Sequence, residues 1–369
     1  MKKLGDYILL NPKENISKGK IARKIAMENL KPFTRDINTW SNISFNGGSK
    51  FRNGDTLLAR ITPCLENGKT AFVNILGDDE IAYGSTEFYV LRAVKNKMDP
   101  YYLYYLTISK KFRNTMIKAM TGTSGRQRVP KEAVLEYLMD VPDFEGQKKI
   151  GEKLKVIDDK ITLNNQINDN LFALSKVIFD HILGNKTIKF SQISTIQNGY
   201  AFKSKEYITD KQLMILRTKN INDNHLFSKN DVIYISNNLF SNYKKFLFNT
   251  FDTVLVMVGA SIGKTGFITS NMMPALQNQN MWRFRPLISG MPGLLVYQYV
   301  NYINEHVKGS ATGSARSFYR KKVFNDFNVP YIEHKNYAIF IALQKEINRI
   351  NVENDILRNI KKSLLNYFF

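Results

Sequence analysis

The chain has 369 residues, 43% of them hydrophobic and 12% aromatic, and its 53 Lys and Arg outweigh 32 Asp and Glu to give a formal charge of +21. That composition excludes a disordered chain, and no apolar run is long enough to suggest a membrane span. The polar start, Met1-Lys2-Lys3-Leu4, gives no expectation of a secretory leader, and the single Cys64 points to a reducing, cytoplasmic setting without a disulfide framework. The positive charge, spread along the chain, points first to nucleic acid and second to an anionic membrane surface, but no strongly basic amphipathic helix supports the second.

In chain order, short β-rich runs over 56–59, 70–73 and 88–91 lie between Gly, Asn and Asp turns, and a helix is expected over 100–119. A Pro-free stretch over 147–182 follows, with a heptad-like seam of Ile150, Leu154, Ile157 and Ile161, then Asn164, Asn168 and Leu171. Strands recur over 253–258, 266–269 and 281–284, and a helix over 293–308. A second heptad stretch, over 336–369, carries Leu343, Ile347, Ile350, Asn354, Leu357, Lys361 and Leu364.

The chain is therefore written twice. Gly54-Asp55-Thr56-Leu57-Leu58 matches Phe251-Asp252-Thr253-Val254-Leu255, and Asn67-Gly68-Lys69-Thr70 matches Ile262-Gly263-Lys264-Thr265. Phe88 to Arg92 matches Met281 to Arg285, Thr121-Gly122-Thr123 matches Thr312-Gly313-Ser314, and Val141-Pro142 matches Val329-Pro330. Collinear matches with a slowly drifting offset mean tandem duplication. The expected fold class is α+β: two pseudo-twofold-related globular domains, 1–145 and 186–335, joined by two long antiparallel helices, 146–185 and 336–369, in a coiled coil. A helix of about 32 residues spans roughly 50 Å, enough to act as a ruler between two readers.

Asn198-Gly199-Tyr200-Ala201-Phe202-Lys203-Ser204, and Gly259 to Thr265 followed by Gln277-Asn278-Gln279-Asn280, resemble the recurring patterns of type I restriction–modification specificity subunits. The first copy carries the variants Asn67-Gly68-Lys69-Thr70 and Gly84-Ser85-Thr86-Glu87-Phe88. The resemblance covers both domains and both long helices. It implies a target-recognition domain for each half of a split DNA site, with a coiled coil setting the unread gap. It also implies two modification subunits that use S-adenosylmethionine to methylate adenine N6, and restriction subunits that use ATP and Mg. No catalysis and no cofactor is expected on this chain, and its expected partners are double-stranded DNA and those subunits, with no membrane.

The residues themselves offer little chemistry. Gly259 to Thr265 is one residue short of a phosphate-binding loop and reads as a turn. Asn328-Val329-Pro330-Tyr331 only partly matches an adenine-methyltransferase motif. Pro142-Asp143 with Asp158-Asp159-Lys160 matches a loose nuclease pattern, but Asp158 to Lys160 falls on the helix, on its expected solvated face. His181, His225, His306 and His334 are too scattered for zinc. Phosphate contacts should come from Lys and Arg, and base reading from Arg, Asn or Gln on exposed loops. Copy one offers Arg126, Gln127 and Arg128, with Lys69. Copy two offers Ser314 and Arg316, then Arg320, Lys321 and Lys322, with Lys203, Lys219 and Lys264. A chain retaining nuclease or methyl-transfer activity, and a solitary DNA- or RNA-binding module, are the competing readings.

Overall fold

A computed structural model describes residues 1–307 and 319–369. They form two compact units, Met1–Ile161 with Leu357–Phe369, and Thr162–Ile356.

In the first unit a four-stranded antiparallel sheet runs in the spatial order Ile8–Leu10, Phe88–Ala93, Thr56–Ala59, Thr70–Phe72. Because successive strand side chains alternate faces, each central strand feeds two cores. Leu57, Phe88 and Val90 pack with Ile25 and Phe51 of a second sheet. Leu58, Tyr89 and Leu91 pack with Tyr102, Leu106 and Phe112 of the helices. The second sheet is ordered Ser41–Ser44, Ile21–Ile25, Ala82–Gly84, Ser49–Phe51, with its two middle strands parallel.

The second unit repeats this plan. Its antiparallel sheet runs Ser194–Asn198, Met281–Pro286, Thr253–Val256, Thr265–Phe267. Val254, Val256 and Met281 face one core, while Leu255, Trp282 and Phe284 face the other with the following helix. Its second sheet, Tyr207–Ile208, Ile233–Ile235, Leu213–Leu216, Ala275–Gln277, again contains one parallel pair. Each globule also closes with a two-stranded antiparallel pair, Lys2–Lys3 with Leu138–Met139 and Thr187–Lys189 with Asn328–Pro330.

The helix expected over 100–119 is two helices, Pro100–Ile108 and Lys110–Lys118. Ser109 is extended at φ −62°, ψ 150°, and its Oγ accepts from the Phe112 amide, so it ends one helix and caps the next. Its counterpart in the second unit is one unbroken helix, Gly293–Val307.

The two long helices are Phe144–His181 and Tyr337–Phe368. In the first unit the early part of one packs against the end of the other: Ile150 and Leu154 lie with Leu364, Leu365 and Phe368. In the second unit Phe172 and Phe179 share a core with Phe340, Leu343 and Ile347. Within each unit the two helices are thus antiparallel. Asn164 Nδ2 donates to Asn354 Oδ1 at 3.0 Å, and Asn354 Nδ2 to Asn165 Oδ1 at 3.0 Å.

Of the expected seam, Leu154, Leu343, Ile347 and Ile350 are buried, and Ile150, Ile157, Ile161 and Leu357 are half-buried. Two expectations need correction. Asp158 is not on a solvated face: it is buried, takes the Lys361 ammonium at 2.6 and 2.7 Å, and accepts from the Tyr105 hydroxyl at 2.9 Å. At the far end of the seam it is Phe172, not Leu171, that is buried, because rings of the second globule, Phe267 and Tyr297, close on it. Each helix packs on its own globule as well as on the other helix, so the apolar stripe is wider than a bare heptad.

Candidate nucleic-acid interface

Both copies share a buried ionic anchor. Arg92 donates from Nε and Nη2 to the two oxygens of Asp55, both at 2.7 Å. Arg285 does the same to Asp252 at 2.8 and 2.7 Å. Each aspartate also accepts a backbone N–H three residues upstream, from Arg52 and Asn249. The anchor ties the start of one central strand to its neighbour, below the loops that carry the candidate contacts. A second shared device fixes the helices: Gln147 Oε1 accepts from the Asp99 amide at 3.0 Å, and Gln344 Oε1 from the Leu294 amide at 3.2 Å. In each copy a long-helix glutamine thus holds the N-terminus of the globule's main helix.

The Gly259 to Thr265 segment is a turn between strands Thr253–Val256 and Thr265–Phe267, with Gly259 and Gly263 at φ +92° and +84°. The segment Asn198 to Ser204 meets Gln277 to Asn280 directly, the Tyr200 amide donating to the Gln277 carbonyl and the Gln279 amide to the Tyr200 carbonyl. A Cβ on Gly199 would stand 1.8 Å from the Asn278 carbonyl oxygen, so only glycine lets these two segments cross.

Several of the candidate cations are committed to protein partners. The Lys69 ammonium sits on the Met27 carbonyl at 2.7 Å, and Lys264 on Asp223 at 3.4 Å. Lys219 is paired with Asp231. Lys321 donates to the Ile196 carbonyl at 3.0 Å, and burial pushes its pKa down. Lys203, Arg320 and Lys322 are exposed. Ser314 and Arg316 lie outside the described residues.

The first unit brings its candidates together. The loop 121–128 is tied to the end of strand Thr56–Ala59 by bridges of Arg128 with Thr121 and Ile61, and by the Thr62 amide donating to the Gln127 carbonyl at 3.0 Å. Gly122 and Gly125 turn the loop at φ +122° and +79°, and Arg126 is exposed at its end. Arg128 donates from Nε and Nη2 to Glu87, closest at 2.7 Å, and Arg60 Nε reaches the same carboxylate at 3.2 Å. The Arg128 guanidinium holds the Glu87 carboxyl below its usual pKa, with Arg60 adding to the effect.

Residue type and motif alone do not single out Arg60 and Glu87, nor Lys110, Lys111 and Lys118. The last three are exposed on the second helix and carry no ion pair among the described residues. A signal was present: from Pro100 to Lys131 the sequence holds no aspartate or glutamate. Among the described residues no group of three or more His, Cys, Asp and Glu side chains could hold a metal, and no helix is long and apolar enough to cross a membrane.

Residues 5–172 match the family model of the type I restriction modification DNA specificity domain. The specificity subunit of the type I restriction enzyme EcoAI of Escherichia coli is 32% identical over 115 residues, which are 31% of this chain and 19% of that protein. The MjaVIII specificity subunit of Methanocaldococcus jannaschii is 23% identical over 305 residues, 74% of this chain and 70% of that protein. The chain thus spans about a fifth of the length of its Escherichia coli relatives. The crystal structure of a type I restriction–modification S subunit from M. genitalium superposes with a TM-score of 0.56 at 14% identity, over 100% of this chain and 95% of that one, and shows the same fold.

Proposed function

We propose that the chain, whose residues 5–172 match the type I restriction modification DNA specificity domain, is a specificity subunit of that kind and a two-part DNA reader. Residues 1–145 and 186–335 each read one half of a split sequence, and the long helices 146–185 and 336–369 set the unread gap. Two modification subunits, carrying S-adenosylmethionine, methylate adenine N6 at the sites this chain selects. Restriction subunits, using ATP and Mg, cleave. The chain itself is a non-catalytic subunit.

The observation that carries this reading is the duplication: two globules of one topology, each followed by a long helix, each with its own aspartate–arginine anchor and helix-capping glutamine. A formal charge of +21 supplies the phosphate affinity, which is independent of sequence. The test is single-molecule methylome sequencing of cells expressing the chain with its modification subunit. N6-methyladenine at a split motif with one fixed gap is expected. An assembled, folded complex that produces no new motif overturns the proposal.

A further inference from the structure

A carboxylate on a surface that meets a polyanion weakens binding. The first unit nevertheless brings one there. The acid-free stretch from Pro100 to Lys131 ends in the exposed 121–128 loop, and Glu87, from the turn before strand Phe88–Ala93, reaches into it. Glu87 is three-quarters buried, at 22% exposure, and is bracketed by Arg128 and Arg60.

The geometry around it is that of a mount. Glu87 takes Nε of Arg60, the Arg60 guanidinium lies over the Tyr89 ring at 5.2 Å, and among the described residues neither terminal amino group has an acceptor. Arg128 spends its Nε and Nη2 edge on the same carboxylate and reaches the Arg126 carbonyl from Nη1 at 3.4 Å, so only the outer hydrogens of its two terminal amino groups point away from protein acceptors among the described residues. Two planar forks are thereby fixed side by side at the edge of an exposed basic loop. A fixed fork donating two parallel hydrogen bonds is what guanine O6 and N7 accept in the major groove. A phosphate contact needs only the charge, and a free lysine supplies it without a carboxylate nearby.

The second copy lacks all three residues. The Arg60 amide donates to the Glu87 carbonyl as the Met257 amide does to the Asn280 carbonyl, and the Arg60 carbonyl accepts from Val129 as the Met257 carbonyl does from Tyr319. Met257 and Asn280 therefore stand where Arg60 and Glu87 do, and Phe318, just before Tyr319, matches Arg128 in sequence.

We propose that Arg60 and Arg128 are guanine-reading residues of the first recognition domain only, and that Glu87 is the positioning residue that mounts them. This rests on the DNA-reading function above. The experiment selects from a random-sequence duplex DNA library with the full chain and three variants, Glu87→Gln, Arg60→Lys and Lys111→Ala. Wild type enriches a split motif with guanine in one half. Glu87→Gln and Arg60→Lys flatten that guanine preference by about tenfold and leave the other positions intact. Lys111→Ala weakens all sequences alike and lowers the salt slope by about 1.

Glu87→Gln acting equally on every position, or on none, with an unchanged urea midpoint, overturns the mount, and Arg60→Lys tests the reader even if Glu87→Gln unfolds. A wild-type motif without guanine overturns the pair but keeps the DNA reader. A folded wild type that enriches no sequence overturns both.

Discussion

The two globules agree where the chain builds a scaffold and disagree where it meets solvent. Asp55–Arg92 and Asp252–Arg285 are superimposable in their bonding, and Gln147 and Gln344 cap equivalent helices. At the loop end of the same strands, the first copy has Arg60 and Glu87 where the second has Met257 and Asn280. The long helices show a parallel contrast. Their contact in the first unit is a buried ion pair, Asp158–Lys361, and in the second a neutral amide pair, Asn164–Asn354. Duplication has thus kept the aspartate–arginine anchors and the helix-holding glutamines, while the loop ends of the strands and the contact between the long helices have diverged.

The largest effect should come from the helix contact. Lys361→Met leaves Asp158, about 10% exposed, without its cation and should cost about 3–5 kcal/mol. The amide pair behaves otherwise: replacing both Asn164 and Asn354 by Leu removes donor and acceptor of their bond together, and the acceptors left behind, Asn165 and Glu353, are half-buried and reach water, so the cost should be well below that of Lys361→Met. Urea unfolding of the full chain measures both. Equal losses in the two experiments would erase the contrast between the units.

Next in size is the shared anchor. Asp252→Asn should destabilise the second unit by about 3 kcal/mol, the low end for a broken buried pair because Arg285 is 33% exposed. Trp282 lies in that unit, buried at 2%, so its emission in a Trp40→Phe background reports the loss. Asp55→Asn strands Arg92 less completely, since Glu14 still accepts from its Nη1 at 2.5 Å. Hydrogen exchange resolved by unit should show a smaller loss there. A larger one would mean that Glu14 contributes nothing to holding the strand.

The contrast also explains what the sequence made legible. The duplicated motifs carried strand order, because alternating burial on both faces makes Thr56 to Ala59 and Thr253 to Val256 visible as apolar runs. Both long helices were visible as heptads. The outer sheets were missed: Ser41–Ser44 is exposed along its length and has no apolar signature. Asp158 was misplaced because a charge at a seam position reads as solvated until its partner, more than two hundred residues away in sequence, is seen. Of the candidate contacts, residue type pointed to Arg126 to Arg128, but not to Arg60 and Glu87, since only strand register brings 60, 87 and 128 together. Charge alone also could not tell the exposed Lys203 from Lys69, whose ammonium is already bound to a carbonyl.

A smaller effect separates the main helices. Ser109→Ala removes the cap between Pro100–Ile108 and Lys110–Lys118 and should cost about 1 kcal/mol. Tyr302, at the matching place in the second unit, lies inside an unbroken helix, so no cap is lost there and Tyr302→Phe should change stability less. A Ser109→Ala chain as stable as wild type would show that packing of Phe112 and Met116, not the cap, starts the second helix.

The smallest effect is a pH dependence confined to the first unit. Arg128 and Arg60 depress the Glu87 pKa below its ordinary 4.5, so the folded state binds this proton less readily than the unfolded chain does. The stabilisation is therefore complete above the ordinary carboxylate pKa and is lost as pH falls from there through the depressed folded value. Asn280, at the matching position, has no proton to exchange. The stability difference between wild type and Glu87→Gln should accordingly hold steady from neutral pH to about 5 and shrink below it, with the other carboxylates cancelling in the difference. A difference that stays constant down to pH 3.5 would mean that the carboxylate is not depressed and that the two arginines are held by the loop backbone, leaving the copies alike in how they fix this end of the strand.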